Sequence, residues 1–346
     1  MKVDYIIVGS GLAGIAFSQI LSKNQKSHVV FDDDSQHSST VAGGLYNPVV
    51  LKRFTPVWMA QEQLDLALIF YKEIEELLRI KLDYKTPVMR LFASVEEQNN
   101  WFQACDKSSL SNFLAPEIQY IKNESIVSNY GYGKVLRTGR VDTELLVDSY
   151  RSHLKKAKHL RNESFQYEAI QHSDIGVVYK DIEAKYLVFA EGFGLKRNPL
   201  FNTLPLKGTK GELLTIHAQD LKIDFVLKSS VFLIPLGNDL YRVGATYEWE
   251  DKTNQITPEG RKELVTKLKT FLKCDFEIVD QVAGMRPTVI DRRPLIGEHA
   301  EHKNLYVLNG LGTRGVMIAP YVADQLFNYI ENKQELPKEI SIERFR

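Results

Sequence analysis

Short apolar runs alternate with amphipathic stretches from the first residues of the chain. Residues 4–8 (DYIIV) form a continuous apolar run that predicts a buried parallel strand. Apolar residues recur at helical spacing over 12–21, and HVVF at 28–31 predicts a second strand. The order is strand, glycine turn, helix, strand, which is one βαβ unit.

The rest of the chain continues with alternating helix-like and strand-like patterns. Helices are predicted over 57–80, after Ser94 with Glu97 as a capping box, after Asp142, after Thr257 and Pro258, and over 316–330. Strands are predicted at 186–190, at 231–235 and 240–246 as a hairpin around 237–239, and at 304–308. The final strand, turn and helix repeat the arrangement of the opening unit, so the fold class is α/β, and α+β overall.

Composition limits the classes of function. The 346 residues, 44% of them apolar, are enough for one large two-part fold or two domains. Lys plus Arg and Asp plus Glu both number 44, so no net charge draws the protein to nucleic acid or to an anionic membrane. Cys105 and Cys274 lie far apart, and no pattern indicates a metal site or disulfide framework. No apolar run is long enough for a signal peptide or a membrane span, so we expect a cytoplasmic protein.

A glycine fingerprint follows the first predicted strand. Gly9, Gly11 and Gly14 form GxGxxG, with Leu12 and Ala13 in the first turn of the helix, whose N–H groups and dipole favour a pyrophosphate. Asp32 ends the second strand, where a carboxylate accepts hydrogen bonds from the adenosine ribose. Asp33 and Asp34 would repel a 2′-phosphate, which disfavours NADP. The fingerprint predicts a dinucleotide site but does not separate FAD from NAD.

Two further segments favour FAD. The stretch 38–49 (SSTVAGGLYNPV) predicts a loop that can contact a larger part of the cofactor, although an ordinary surface loop is the alternative. The turn 310–315 can place N–H groups near flavin O2 and N1, where negative charge develops on reduction. The cofactor-binding candidates in these segments, and in the turn after the 186–190 strand, are Ser39, Thr40, Ala42, Gly43, Gly44, Gly192, Gly312, Thr313, Arg314, Gly315 and Val316.

These segments together resemble the D-amino-acid oxidase, glycine oxidase and sarcosine oxidase superfamily of FAD enzymes. The resemblance covers nearly the whole chain and includes IIVGSGLAG, KGTKGELL at 207–214, MRPTVIDRRPLIGE at 285–298 and NGLGTRGVMIAP at 309–320. It implies a Rossmann-like FAD-binding domain (1–80, 135–205 and 280–346) interleaved with an antiparallel-sheet substrate domain (81–134 and 206–279). It also implies non-covalent FAD, since no cysteine falls in the segments matching the flavin site.

The resemblance implies oxidation of a carbon–nitrogen bond in an amino acid or amine. Hydride passes to flavin N5, the imine hydrolyses, and oxygen commonly reoxidises the flavin. Arg286 matches the arginine that grips a substrate carboxylate, Arg314 is a second candidate, and Phe232 replaces a tyrosine that helps to bind carboxylate, so Tyr247 becomes the candidate hydroxyl. Lys207 and Lys210 are candidate charges near the flavin, although solvated lysines are favoured.

Two alternatives stay open. Segments such as GGLYNP and GTRGVMIAP are similar to the FAD oxidase half of a bifunctional protein that modifies aminomethyl groups on the tRNA wobble uridine. A balanced charge and the lack of an attached methyltransferase half do not favour tRNA as the partner. The other alternative is an FAD-binding subunit of a heteromeric dehydrogenase, in which no amine would reduce the bound flavin. The leading hypothesis remains an amine or amino-acid oxidase or dehydrogenase.

Overall fold

The computed structural model describes residues 1–173 and 176–346. Within these ranges the helices are α1 Leu12–Lys23, α2 Ala60–Leu78, α3 Val95–Cys105, α4 Thr143–Lys156, α5 Pro258–Leu268 and α6 Gly315–Glu331. The strands are β1 Lys2–Val8, β2 His28–Asp32, β3 Leu45–Tyr46, β4 Val49–Val50, β5 Thr55–Pro56, β6 Asp83–Tyr84, β7 Val88–Leu91, β8 Leu114–Gln119, β9 Tyr132–Val135, β10 Gly139–Val141, β11 Leu160–Asn162, β12 Ile170–Ser173, β13 Gly176–Tyr179, β14 Ile182–Phe189, β15 Thr209–His217, β16 Val226–Lys228, β17 Phe232–Gly237, β18 Leu240–Gly244, β19 Glu277–Arg286, β20 Leu295–Glu298 and β21 Leu305–Asn309.

The first large sheet has a parallel centre. Strands β11, β2, β1, β14 and β21 pair in parallel in that order, and β20 adds an antiparallel edge. Strands β12 and β13 form a hairpin, and β13 pairs with the first half of β14. Strand β21 pairs with the second half of β14. The carboxyl ends of β1, β2, β14 and β21 therefore meet at one edge, where ligands bind in open sheets of this kind.

The second large sheet is mainly antiparallel. Its strand order is β19-β15-β18-β17-β16-β7-β9-β8, with a single parallel pair between β16 and β7 among the described strands. The predicted hairpin is β17 and β18, which are joined by Asn238 and Asp239, both with positive φ. Gly237 belongs to the strand and pairs with Leu240, so the turn is one residue shorter than predicted. The domain limits stay a prediction, and β19 crosses the predicted limit at 280.

Both faces of the first sheet are covered, which explains the continuous apolar runs in its strands. Tyr5 and Ile7 of β1 join a core with α1, α2, α4 and α6, whereas Ile6 and Val8 face a second core. A third core lies between the second sheet and α5. No helix of the described ranges is long and apolar enough to cross a membrane.

The helix predictions are confirmed in position and corrected at their ends. Ser94, Asp142 and Thr257 each accept a first-turn N–H, from Glu97, Leu145 and Gly260. Helix α2 begins at Ala60 instead of 57 and ends at Leu78 instead of 80. Its flanking residues Met59 and Arg79 both have left-handed backbones, which cannot continue a right-handed helix.

Candidate active site

A cavity of about 920 Å³ opens at the carboxyl edge of the first sheet and extends along the second sheet. It lies next to Gly9, Asp32, Ala190 and Asn309, which end or follow the parallel strands, and it reaches Arg286 at the end of β19. Of the predicted site residues, those that line the cavity are Gly9, Gly11, Leu12, Ala13, Asp32, Ser39, Ala42, Gly43, Gly44, Gly192, Tyr247, Arg286, Gly312, Thr313, Arg314, Gly315 and Val316. Gly14 and Thr40 do not line it.

The three fingerprint glycines serve different contacts. A Cβ on Gly9, whose φ is +104°, would lie 2.4 Å from the carbonyl oxygen of Ala190, and one on Gly14 would lie 1.9 Å from that of Gly9. Both glycines therefore permit close backbone packing. Gly11 is the N-cap of α1 and supplies no side-chain cap, so the first-turn N–H groups after that of Leu12, which donates to Ser39 Oγ, remain for a ligand. The turn thus has the shape and the donors that fit a pyrophosphate.

Asp32 is held in place by groups that are distant in sequence. Its Oδ2 accepts hydrogen bonds from Ser10 N at 2.6 Å and Ser10 Oγ at 2.8 Å. Its Oδ1 accepts from Arg151 Nη2 at 3.1 Å, and a second nitrogen of Arg151 donates to Asp34 at 2.6 Å. Arg151 lies in α4 and was missed by the sequence analysis, because nothing in its neighbourhood along the chain signals this contact.

Glu191 is a second residue that the sequence analysis missed. It follows β14, lines the cavity and accepts hydrogen bonds from Tyr167 Oη at 2.5 Å and Asn198 Nδ2 at 2.8 Å. Burial raises the pKa of Glu191 to about 7, and the hydrogen bonds from Tyr167 and Asn198 oppose that rise. The cavity therefore contains a carboxyl group that titrates near neutrality at its wall.

The loop and the turn predicted for the flavin both reach the cavity. In the loop, Ser39 Oγ accepts from Leu12 N at 3.1 Å, whereas Thr40 Oγ1 donates to His37 O at 2.9 Å within the loop itself. In the turn, Gly312 has φ +59° and nothing lies within 4 Å of the Cβ that it lacks. Helix α6 starts just after it with Arg314 as N-cap and without a side-chain cap. Uncapped N–H groups and open space fit the polar edge of a flavin ring.

Arg286 and Arg314 bring positive charge to the cavity. Arg286 Nη1 donates to two carbonyl oxygens, Thr246 O at 3.2 Å and Lys210 O at 3.4 Å, and its guanidinium lies 4.7 Å from the ring centre of Tyr247. Burial lowers the pKa of both guanidinium groups below the usual value for arginine. In the described ranges neither forms an ion pair with a carboxylate. Two partly buried cations thus face the cavity without a protein anion.

Acidic side chains are concentrated at one end of the cavity. The acidic lining residues Asp32, Asp33, Glu163 and Glu191 lie around the ends of β2, β11 and β14, and Arg197 lies near Asp33 and Glu191 at the same end. Along the second sheet and the turn before α6, the lining contains the cations Lys228, Lys267, Arg286 and Arg314. The acidic end of the cavity suits the hydroxyl groups of a ligand, and the end with the cations along the second sheet suits an anionic ligand.

Lys207 and Lys210 differ from each other. Lys207 is exposed, as favoured from the sequence, but Lys210 is fully buried and pairs with Asp251 at 2.5 Å and Glu212 at 3.7 Å. The expectation of a solvated side chain is wrong for Lys210, because those two carboxylates neutralise the buried charge. Neither lysine lines the cavity.

The fold and the cavity are those of a protein that holds an extended dinucleotide at the carboxyl edge of a parallel sheet. The chain belongs to the family of FAD dependent oxidoreductases described as DAO, which it matches over residues 4–328. FAD is therefore its cofactor, and the glycine cradle and uncapped helix starts described above fit it.

Comparison with known proteins agrees with this assignment. The chain is 24% identical to the glycine oxidase of Bacillus subtilis, over 96% of this chain and 95% of that one. It is 21% identical to the tRNA 5-methylaminomethyl-2-thiouridine biosynthesis bifunctional protein MnmC of Marinobacter nauticus, over 94% of this chain and 55% of that protein. Its fold is similar to the crystal structure of glycine oxidase from Geobacillus kaustophilus, with a TM-score of 0.79, 19% identity and 96% of each chain covered.

Proposed function

We propose that this FAD-dependent oxidoreductase oxidises the carbon–nitrogen bond of a small amino acid or a secondary amine that carries a carboxylate. The observation that supports it most directly is the state of Arg286, which is partly buried, lines the cavity and is bonded only to carbonyl oxygens among the described residues. A buried guanidinium without an anion is costly, and a bound carboxylate would relieve that cost. Glycine oxidase, as a relative across nearly the whole chain, supports the same class of substrate.

In this proposal the chain's own groups have separate tasks. The turn at Gly9–Gly14 would hold the pyrophosphate, Asp32 the ribose, and the 38–44 loop with the 312–316 turn the flavin. Bound FAD would supply the acceptor for the hydride of the substrate α-C–H bond. Arg286 would fix the carboxylate through a planar pair of hydrogen bonds, which restricts the α-carbon to one orientation. The Tyr247 ring, stacked on Arg286, would limit the movement of the guanidinium.

The products in this scheme are balanced by water and by the electron acceptor. Loss of hydride and the amine proton gives an imine, and hydrolysis of the imine gives a carbonyl compound and the free amine or ammonia. Oxygen as the final acceptor is part of the proposal, in line with the oxidases among the relatives. The cavity contains no cysteine or histidine within the described ranges, which supports non-covalent binding of FAD.

A tRNA nucleoside bearing an aminomethyl group is the second candidate substrate. It is favoured by the similarity to MnmC, which spans 94% of this chain. This chain covers 55% of that protein, and its own formal net charge is zero. Binding to tRNA would require a basic surface around the mouth of the cavity, which makes the small amino acid the first choice.

The deciding experiment is an anaerobic screen of amines and amino acids for loss of the oxidised flavin absorbance. We expect rapid bleaching by at least one small substrate with a free carboxylate, and much slower bleaching by its amide. Bleaching only by an aminomethyl nucleoside in RNA would favour the second candidate. A yellow protein that no amine reduces would instead favour the electron-carrying subunit.

A further inference from the structure

A third cation, Lys228, faces the cavity in an unusual setting. It ends β16, and its ammonium nitrogen lies 4.6 Å from the centre of the Phe232 ring on the neighbouring strand. Both residues line the cavity. In the ranges that the structure describes, Lys228 Nζ forms no ion pair, and the charged groups acting on it are Arg90 and Lys267, both cations. The position is therefore one of uncompensated positive charge.

The two neighbouring cations are already neutralised. Arg90 donates to Glu97 Oε1 from Nε at 2.7 Å and from Nη2 at 2.5 Å, and Lys267 pairs with Glu263 at 2.5 Å. The buried Lys210 likewise has its own carboxylates. Lys228 differs from all three, because no acidic side chain of the described residues offsets its burial.

Burial of Lys228 has a measurable consequence for its charge. Desolvation, with added repulsion from Arg90 and Lys267, lowers the pKa of Lys228 to about 8. The ammonium is still mostly protonated at neutral pH. An anion bound beside it would remove the cost of that unpaired charge, which is how a binding site gains affinity from a poorly solvated cation.

Strand pairing places Lys228 and Arg286 on one wall. Leu213 lies opposite Gly244, Gly244 opposite Phe232, and Phe232 opposite Lys228, so these four share a face of the second sheet. Gly211, two residues before Leu213, is on the same face, and the Arg286 guanidinium lies directly against it. All of these residues line the cavity.

This register sets the separation of the two charges. The Lys228 ammonium lies over Phe232 on β17, and β17 is two strands away from β15. The Arg286 guanidinium lies against Gly211, which is two residues along β15 from Leu213. With strand spacings of about 4.8 Å and a rise of about 3.4 Å per residue, the charges are roughly 12 Å apart. Two ion pairs of about 3 Å each leave roughly 6 Å between the anionic groups, the span of a short dicarboxylate chain.

We propose that Lys228 is a second anion-binding site of the cavity and that the substrate is a dianionic amino acid, with one carboxylate on Arg286 and a second carboxylate on Lys228. This inference rests on the proposed function for the identity of the reacting amine. The binding of the two carboxylates does not depend on turnover, so it can be tested by itself.

The test is equilibrium titration of the FAD-loaded protein with unreactive acids, followed by the change in flavin absorbance. Glutarate and adipate carry two carboxylates, and pentanoate and hexanoate match them in length with one. We expect the better diacid to bind the wild type at least about tenfold more tightly than its monoacid. Lys228→Met, which keeps the length of the side chain without its charge, should abolish that preference and leave monoacid binding within about twofold.

Lys262→Met is the matched control, because Lys262 is exposed on the same helix as Lys267 and does not line the cavity. It should retain the preference for diacids. A preference that survives Lys228→Met, or an equal loss for mono- and diacids, would overturn the proposal. Displacement of glutarate by a short RNA in the wild type but not in Lys228→Met would also overturn the proposal. That result would indicate that Lys228 binds a phosphate group instead of a carboxylate.

The outcome separates the two proposals. If diacids bind through Lys228 but no amino acid bleaches the flavin, the second anion site stands and the proposed reaction fails. If dicarboxylic and monocarboxylic amino acids bleach the flavin equally well in the wild type and in Lys228→Met, the reaction stands and the second site fails.

Discussion

A Cβ atom placed on Gly211 would lie 1.8 Å from Nη2 of Arg286. The guanidinium of Arg286 therefore occupies the space that the side chain of any residue other than glycine would need at position 211. Gly211 pairs with Gly284 on β19, two residues before Arg286. The absence of a side chain at 211 allows the arginine to fold back along the sheet toward the cavity.

Gly211→Ala should push the Arg286 guanidinium out of its position. We expect the kcat/KM of a carboxylate substrate to fall by about tenfold or more with FAD still bound, because a misplaced clamp loses its alignment with the reacting carbon. Anaerobic stopped-flow reduction, with flavin content checked by absorbance, measures the effect.

The same substitution in an Arg286→Ala background supplies the control. The three atoms nearest to the added methyl group all belong to the guanidinium, so with the guanidinium removed Gly211→Ala should cost little. The two changes would be strongly non-additive, as expected for residues in direct contact. Simple additivity would show that Gly211 acts on something other than Arg286.

Gly11→Val should abolish FAD binding. A Cβ on Gly11 would lie 2.9 Å from Ser39 Oγ, and the two methyl groups of valine would enter the space where backbone and pyrophosphate meet. The purified variant should be colourless yet folded, as judged by circular dichroism. A yellow variant with a full complement of FAD would assign Gly11 to the turn alone.

Asp32→Ala should weaken FAD binding by about 1.5 to 3 kcal/mol, the range for hydrogen bonds to a charged group. It should leave the rate of flavin reduction unchanged at full occupancy, since ribose contacts are equal in ground and transition states. Fluorescence titration of the apoprotein with FAD measures the affinity. Asp33→Ala is the comparison, and a larger loss there would transfer the ribose contact to Asp33.

Glu191 should make stability depend on pH. Its pKa is raised in the folded state from the usual 4.5 to about 7, so between these values the folded protein holds a proton that the unfolded chain has released. Stability from this group is therefore present below pH 4.5 and is lost as pH rises toward 7. The loss is up to about 3 kcal/mol.

Glu191→Gln isolates that contribution, because the amide keeps the shape of the carboxyl group and does not titrate. The variant should be more stable than the wild type at pH 7 to 8, and the advantage should vanish near pH 5. Melting temperatures across this range, with and without FAD, test the sign. A parallel pH profile for both proteins would mean that Glu191 is already ionised in the folded state.

Much of the cavity wall at the carboxyl edge of the first sheet could be predicted, because its signals are local. Gly9, Gly11 and Gly14 stand between a strand and a helix, and Asp32 ends the next strand, so one stretch of sequence contains the whole pattern. Gly14 was predicted as a contact but supports packing against Gly9, since sequence alone does not separate these two uses of glycine.

The substrate end could be predicted only in part, because its geometry arises from pairing between distant strands. Arg286 was identified through its motif, but its dependence on Gly211 follows from the register of β15 with β19. Lys228 gave no signal, since the lack of an acidic neighbour is a property of the folded surroundings. Arg151 and Glu191 were missed for the same reason: their partners lie in other elements.

Arg286 itself should be needed for the oxidation of a carboxylate substrate. If it binds a carboxylate beside the flavin, Arg286→Ala leaves that anion desolvated and unpaired, at a cost of roughly 2 to 5 kcal/mol. At about 1.4 kcal/mol per tenfold change, kcat/KM should fall by tens to thousands of times while FAD stays bound. Arg286→Lys should recover only part of this, since an ammonium keeps the charge without the planar pair of donors.

The control is a substrate that lacks the carboxylate, such as the amide or the decarboxylated amine of the best substrate found. Arg286→Ala should slow its oxidation far less, because there is no anion to leave unpaired. The measurement is the rate of anaerobic flavin reduction by each substrate in wild type and both variants, with occupancy checked by absorbance. Near-normal reduction of FAD-loaded Arg286→Ala by a carboxylate substrate would remove Arg286 from the site and make Arg314, which also lines the cavity, the residue to test next.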